Sequence, residues 1–299
     1  MFETQQRFFH SAVSPGDSSY EAGSGIIDSH QHFWEFDAVR DSWITDDMHV
    51  IQQDFMPVHL FPLLREAGVQ GTVIVQSDQS DAENTFQLEN ADKFDFIKGV
   101  VGWVDLQNEN VEESLRYYKR FEKMKGFRHV LQGEKDRAMM LLPNFKRGIG
   151  LLNKYGFTYD ILIFPDQLPY SLELVKAFPD QPFVIDHLAK PPIKEKKIDD
   201  WARDMQAIAQ LPNVQCKISG MVTEADWKKW RKEDLVPYID VVVNAFGTNR
   251  IMFGSDWPVC LVASSYQQWI NLLKEYFKPF TQGEKDAFFG GNAARFYRL

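Results

Sequence analysis

Residues 26–34 read Ile26-Ile27-Asp28-Ser29-His30-Gln31-His32-Phe33-Trp34. The apolar start predicts a buried strand, and the residues at its end bear on the fold. In a doubly wound open sheet, a glycine-rich phosphate loop usually succeeds the first strand. Here that place is taken by His30-Gln31-His32. Side chains alternate along a strand, so His30 and His32 point to the same side. Two imidazoles projecting together from a strand end can hold one metal ion.

Downstream the pattern repeats: a short apolar run, a polar turn, a helix-like stretch. Further strands are predicted at Thr72–Gln76, Gly99–Leu106, Gly126–Leu131, Thr158–Ile163, Phe183–Leu188, Val214–Ser219 and Ile251–Ser255, after Ile26–Phe33. Between them, Val111, Leu115, Tyr118 and Phe121 fall on one helix face, as do Leu168, Leu172, Val175 and Phe178, and Trp269, Leu272, Leu273, Tyr276 and Phe277. Ser80 and Glu83 have the spacing of a capping box. Gly68 and Gly156 stand where left-handed helix ends are expected. The charged Lys194–Lys197 run predicts a solvated loop before a helix. Alternating strands and helices imply a parallel sheet, because each crossover returns the chain to the same end. Eight such units predict an α/β fold of (β/α)8 TIM-barrel type, one domain over residues 26–299 preceded by an N-terminal arm, residues 1–25. The chain length of 299 residues suits this, since such a barrel takes ~250 residues.

The net charge of −9 argues against nucleic acid and anionic membranes as partners. No run approaches the ~20 apolar residues of a membrane span, and residues 1–25 lack the apolar core of a signal peptide. Two cysteines, Cys216 and Cys260, read as buried thiols in a reducing compartment, so the expected location is cytoplasmic.

Catalytic groups of a barrel enzyme stand at the C-terminal ends of its strands. There the sequence offers His30 and His32 on the first strand, His187 on the sixth and Asp256 on the eighth. One strand-end histidine is ordinarily structural; four ionisable groups at one rim are hard to explain as packing. On the fourth strand Arg128 and His129 face opposite sides, and an arginine facing inward can clamp a substrate oxygen through paired hydrogen bonds. A salt bridge from strand to helix is the alternative for it. Tyr159 and Asp160 on the fifth strand, with Lys217 and Ser219 on the seventh, are further candidates. Trp34, Trp103 and Trp257 come after or end strands and can offer a flat face to a small ring, or simply fill the core.

IIDSHQHFW from Ile26, KGFRHVLQ from Lys125, VIDHLAKP from Val184, NVQCKISGMVTEADW from Asn213 and RIMFGSDWPVC from Arg250 together resemble the amidohydrolase superfamily. They are most similar to its branch of barrel hydrolases that contains the L-fuconolactone and L-rhamnonolactone hydrolases. The segment Gly290–Tyr297 resembles that family's terminal helix motif and is expected to pack near the barrel. The resemblance implies that His30, His32, His187 and Asp256 form the active site and are the metal ligands. Two-metal relatives bridge their ions with a lysine or glutamate on the fourth strand. Here Lys125 lies at the wrong end of that strand, so at most one divalent ion is expected, zinc first, and the resemblance leaves catalysis without metal open.

The implied reaction is hydrolysis of a small sugar lactone, with Asp256 as general base and Arg128, Trp34, Trp103, Tyr159 and Trp257 as substrate-binding candidates. An ion, or the histidines themselves, would polarise the carbonyl. The rival readings are a decarboxylase of the same superfamily and a sugar-acid binding protein without activity. The second has no need for Asp256. A homodimer would be unremarkable for such a barrel.

Overall fold

The computed structural model describes residues 25–299. The expected N-terminal arm, Gly25 apart, lies outside the described residues. From Ile26 the chain runs through β1 (Ile26–Gln31), α1 (Pro57–Ala67), β2 (Val69–Val75), α2 (Asp81–Lys93), β3 (Ile97–Gly102), α3 (Val111–Tyr118), β4 (Met124–His129) and α4 (Pro143–Tyr155). The second half holds β5 (Thr158–Ile161), α5 (Leu168–Ala177), β6 (Phe183–Ile185), α6 (Asp199–Ile208), β7 (Val214–Ile218), α7 (Lys232–Phe246), β8 (Ile251–Phe253) and α8 (Tyr266–Tyr276). Two short helices, α9 (Gln282–Asp286) and α10 (Asn292–Tyr297), end it.

All strands are parallel and ordered β1 to β8 in one eight-stranded sheet, the expected (β/α)8 barrel. The seam between β8 and β1 is closed just past the strand ends. Asp256 N donates to His30 O at 2.8 Å, and His32 N donates to Trp257 O at 2.7 Å. The candidate residues therefore carry the backbone bonds that close the barrel.

The expected helix faces are buried at Val111, Leu115, Tyr118, Trp269, Leu272 and Leu273. Gly68 and Gly156 end α1 and α4 at φ +75° each, a conformation that costs a residue with Cβ about 1–2 kcal/mol. The capping box forms only by half. Ser80 Oγ accepts from Glu83 N, but the Glu83 carboxylate is drawn away to accept from Ser77 N at 2.9 Å. β6 is shorter than expected because the chain leaves the sheet at Asp186.

Inside the barrel, Ile27, Val73, Val75, Val101, Val184 and Met252 meet Phe296 and Tyr297 of α10. The C-terminal helix thus packs onto the barrel, against the layer of side chains beneath the catalytic end. Burying a large apolar side chain contributes ~1.5–3 kcal/mol, so α10 is an integral part of the core. Among the described residues no helix is long and apolar enough to cross a membrane. Both cysteines are buried free thiols.

Candidate active site

β1 carries His30 into the barrel, wholly buried. His32 lies just beyond the strand. Its Nδ1 is 2.7 Å from Val75 O on β2. A carbonyl only accepts, so Nδ1 carries a proton and the ring turns its Nε2 toward the site. That Nε2 stands 3.2 Å from His30 Nε2 and 3.3 Å from Asp256 Oδ1. His30 Nε2 and His187 Nε2 lie 3.9 and 3.7 Å from the same oxygen.

His187 reaches this point by an unusual backbone. His187, Leu188, Ala189 and Lys190 have φ of +52°, +54°, +55° and +52°, a left-handed turn without a glycine. Asp256 is also left-handed, at φ +57°. Such residues cost roughly 1–3 kcal/mol each and persist where surrounding structure over-determines them. Here the support includes Ser219 Oγ, 2.9 Å from His187 Nδ1, and Gly220. A Cβ on Gly220 would lie 2.4 Å from His187 Nδ1 and 3.0 Å from Asp256 Oδ2. Gly254 is needed for space, since a Cβ there would fall 2.8 Å from His30 Cβ.

Burial would raise the Asp256 carboxyl, but His187, the hydrogen bond with His32 and the nearby His30 outweigh it and hold it well below the usual carboxylate range. Burial pushes His187 down to about 4 and holds His30 well below its ordinary value. At neutral pH Asp256 therefore stands as a carboxylate among the histidines.

Beneath it lies a buried polar layer. Lys217 Nζ is 2.6 Å from Asp160 Oδ2, 3.0 Å from Asp186 Oδ1 and 3.1 Å from His30 Nδ1. Arg128 Nη1 donates to Asp186 Oδ2 at 3.0 Å, and its Nη2 donates to Gln76 O. Tyr297 OH donates to Asp160 Oδ2 at 2.7 Å. Burial opposes ionisation of Asp186, yet Lys217, His30 and Arg128 hold it well below the ordinary range. Asp160 is pushed up to about 6 by burial, against the pull of Lys217.

The donor set fits a divalent ion. One ligand atom each from His30, His187 and Asp256 lies within 4.8 Å of the others, and two imidazoles with a carboxylate are ordinary zinc donors. His32 adds its Nε2 beside two of them. Lys125 cannot bridge a second ion, because its Nζ donates to Arg298 O, in the segment after α10.

A cavity of about 290 Å³ opens above these groups, with His32, Arg128, His187 and Asp256 in its wall. Arg128 is thus the substrate-binding candidate that reaches it, while His129 turns outward to Glu134 and Phe145. The aromatic candidates are not in that wall. Trp34 packs on Trp43 and Phe55, Trp257 on Phe33 and Phe55. Tyr159 lies between Phe145 and Phe183, and Trp103 Nε1 contacts His129. Apolar packing draws Trp34, Tyr159 and Trp257 into the layer outside the barrel. The remaining wall comes from loops: Arg40, Trp43, Asp78, Gln79, Gln132 and Lys190. Sequence reasoning missed these, since loop positions carry no periodicity. Their distance from a strand-end motif was the one available signal.

Known proteins align with this architecture. The family model described as Amidohydrolase matches residues 27–299. An L-fucono-1,5-lactonase of Burkholderia multivorans is 38% identical over 288 residues, 93% of this chain and 97% of that protein. A second L-fucono-1,5-lactonase, from Burkholderia ambifaria, is 35% identical and covers 91% of this chain and 95% of its own. The crystal structure of an amidohydrolase from Burkholderia multivorans with bound zinc superposes at a TM-score of 0.89 with 38% identity, covering 92% of this chain and 99% of the other.

Proposed function

Because the chain belongs to the amidohydrolase family, we propose that it hydrolyses a small sugar lactone. One observation carries the reading: Asp256 Oδ1 stands within 3.9 Å of three imidazole Nε2 atoms in the wall of a cavity about 290 Å³ in volume. The names of the two Burkholderia lactonases supply the substrate class.

Lactone opening needs an activated water, a polarised carbonyl and a proton for the leaving alkoxide. Asp256, ionised and close to the histidines, takes the proton of the attacking water and returns it to the ring oxygen. His30, His32, His187 and Asp256 are the residues that would hold a divalent ion, zinc by the precedent of the Burkholderia structure. The chemistry an ion supplies in such a site is polarisation of the carbonyl and a lowered pKa for water. Imidazole N–H groups from the same residues supply the polarisation by hydrogen bonding where no ion is bound. Arg128 orients the carbonyl end of the substrate with what its bonds to Asp186 and Gln76 leave over. The two buried free thiols favour a reducing, cytoplasmic setting.

A panel of five- and six-membered aldonolactones, followed with a pH indicator with and without chelator, tests this. Acid release above the buffer rate on at least one lactone is expected. No turnover on the whole panel, with carbon dioxide released from a carboxylated analogue, would move the chain to the decarboxylases.

A further inference from the structure

The loop-built part of the cavity wall presents polar atoms that the protein does not satisfy itself. Gln79 Oε1 accepts from Val130 N at 2.7 Å. A backbone N–H only donates, so this bond fixes which end of the amide is oxygen and leaves Nε2 with its two hydrogens to give. The same bond draws the loop after β2 onto the segment after β4, two strands away. Asp78 and Gln79 thereby share one wall with Val130 and Gln132. Gln132 Oε1 is buried and has no hydrogen-bond partner among the described residues. Asp78 accepts from Ser80 Oγ through one oxygen, Oδ2, at 2.6 Å, and a carboxylate has room for further donors. The charges of this wall are uneven. Arg40 Nη2 is 2.7 Å from Asp41 Oδ2, and Lys190 Nζ is 3.1 Å from Glu224 Oε1. Both cations of the loop wall are thus neutralised by a carboxylate of their own, and Asp78 is left in excess.

We propose that Asp78, Gln79 and Gln132 determine specificity in this cavity: they read hydroxyls on the substrate ring and turn away a lactone that carries a carboxylate. The inference rests on the lactonase reading of the site and narrows its substrate to a neutral, polyhydroxylated lactone. A hydroxyl both donates and accepts. Ring hydroxyls give their protons to Asp78 and to Gln132 Oε1 and accept from Gln79 Nε2. A lactone without hydroxyls covers the same atoms and pairs none of them. Acceptors shut off from water without a partner are costly, and a site built to bond a hydroxyl rejects the analogue that lacks it. A carboxylate on the substrate meets the Asp78 charge, and neither Arg40 nor Lys190 is free of its own partner to offset the repulsion. Arg128, on β4, stays with the reacting carbonyl, and the loops read the rest of the ring.

The full chain is assayed on three lactones of one ring size. They are the aldonolactone it turns over best, the unsubstituted ring (δ-valerolactone or γ-butyrolactone), and an aldarolactone, a sugar lactone with a carboxylate at its far end. Each kcat/KM is divided by that lactone's own rate with hydroxide, so that ring reactivity cancels. The unsubstituted lactone and the aldarolactone should each fall below the aldonolactone by about 100-fold or more. Gln132→Met keeps the length of the side chain and loses its good acceptor. It should raise KM for the aldonolactone and narrow the gap to the unsubstituted lactone by about tenfold. Asp78→Asn keeps the shape and loses the charge, and should narrow the gap to the aldarolactone by about tenfold. A change of ratio between substrates is not what a merely structural role would give. Wild-type turnover of the unsubstituted lactone or the aldarolactone equal to that of the aldonolactone overturns this proposal and leaves the lactonase reading standing. Folded variants with wild-type ratios overturn it as well. No turnover of any lactone overturns the lactonase reading and this proposal with it. Should a variant not fold, the wild-type ratios decide alone.

Discussion

At Asp256 a buried carboxylate stays ionised because three imidazoles surround it; take the carboxylate away and the site keeps its shape but has no base. Asparagine matches its volume and cannot accept a proton. Asp256→Asn should therefore lose about 10²–10⁴ in kcat, the usual scale for a general base, with KM little changed. Initial rates corrected for spontaneous lactone hydrolysis check this, and wild-type turnover in a folded variant would assign the base elsewhere. The residue scale is also where sequence reading reached furthest. His30, His32, His187 and Asp256 were all legible as strand-end groups, and the structure brings them together around one oxygen. The tryptophans were not legible in the same way. An indole after a strand has the same sequence signature whether it faces a ligand or a helix, and Trp34 and Trp257 face the core.

Elements position these residues through turns that no residue-type preference anticipates. β6 ends at Ile185, and the left-handed turn after it swings His187 toward Asp256. A run of positive φ without glycine is locally unfavourable, so it is imposed by what packs around it. Gly220, after β7, is one such neighbour. Gly220→Ala would place a methyl 2.4 Å from His187 Nδ1 at a backbone φ of +61°, adding about 1–2 kcal/mol of backbone strain to the clash. The expected outcome is at least a tenfold fall in kcat/KM with a lowered Tm. Ser219→Ala, which removes only the hydroxyl 2.9 Å from His187 Nδ1, should fall less and melt close to the wild type. A Gly220→Ala enzyme of full activity would show that His187 tolerates displacement.

On the scale of the whole molecule, the barrel joins its last helix to its active site. Tyr297 of α10 bonds Asp160, Asp160 bonds Lys217, and Lys217 bonds His30. Tyr297→Phe removes one hydrogen bond to a buried charged group and should cost about 1.5–3 kcal/mol in urea unfolding. An unchanged midpoint would mean that the tail packs without that bond. Ion binding acts at the same scale. A ligand at 100 times its Kd stabilises the native state by ~2.7 kcal/mol, so excess zinc should raise the Tm of chelator-treated protein, and His187→Ala should abolish the rise. Equal melting curves with and without zinc would argue against an ion at this site.

The eight strand–helix units, the parallel barrel and the four rim residues come from sequence alone, because hydrophobic periodicity and strand alternation are local properties, repeated along the chain. The C-terminal segment was expected near the barrel, but its insertion against the strands' inner side chains was not. The tertiary structure alone decides the left-handed turn at His187, the seam bonds from Asp256 and His32, and the loop-built wall with Arg40, Trp43 and Lys190. It also decides the stack of charges under His30. Each of these pairs residues far apart in the chain. Their partners are set by barrel closure, and the burial that makes their bonds strong exists only once the barrel has closed.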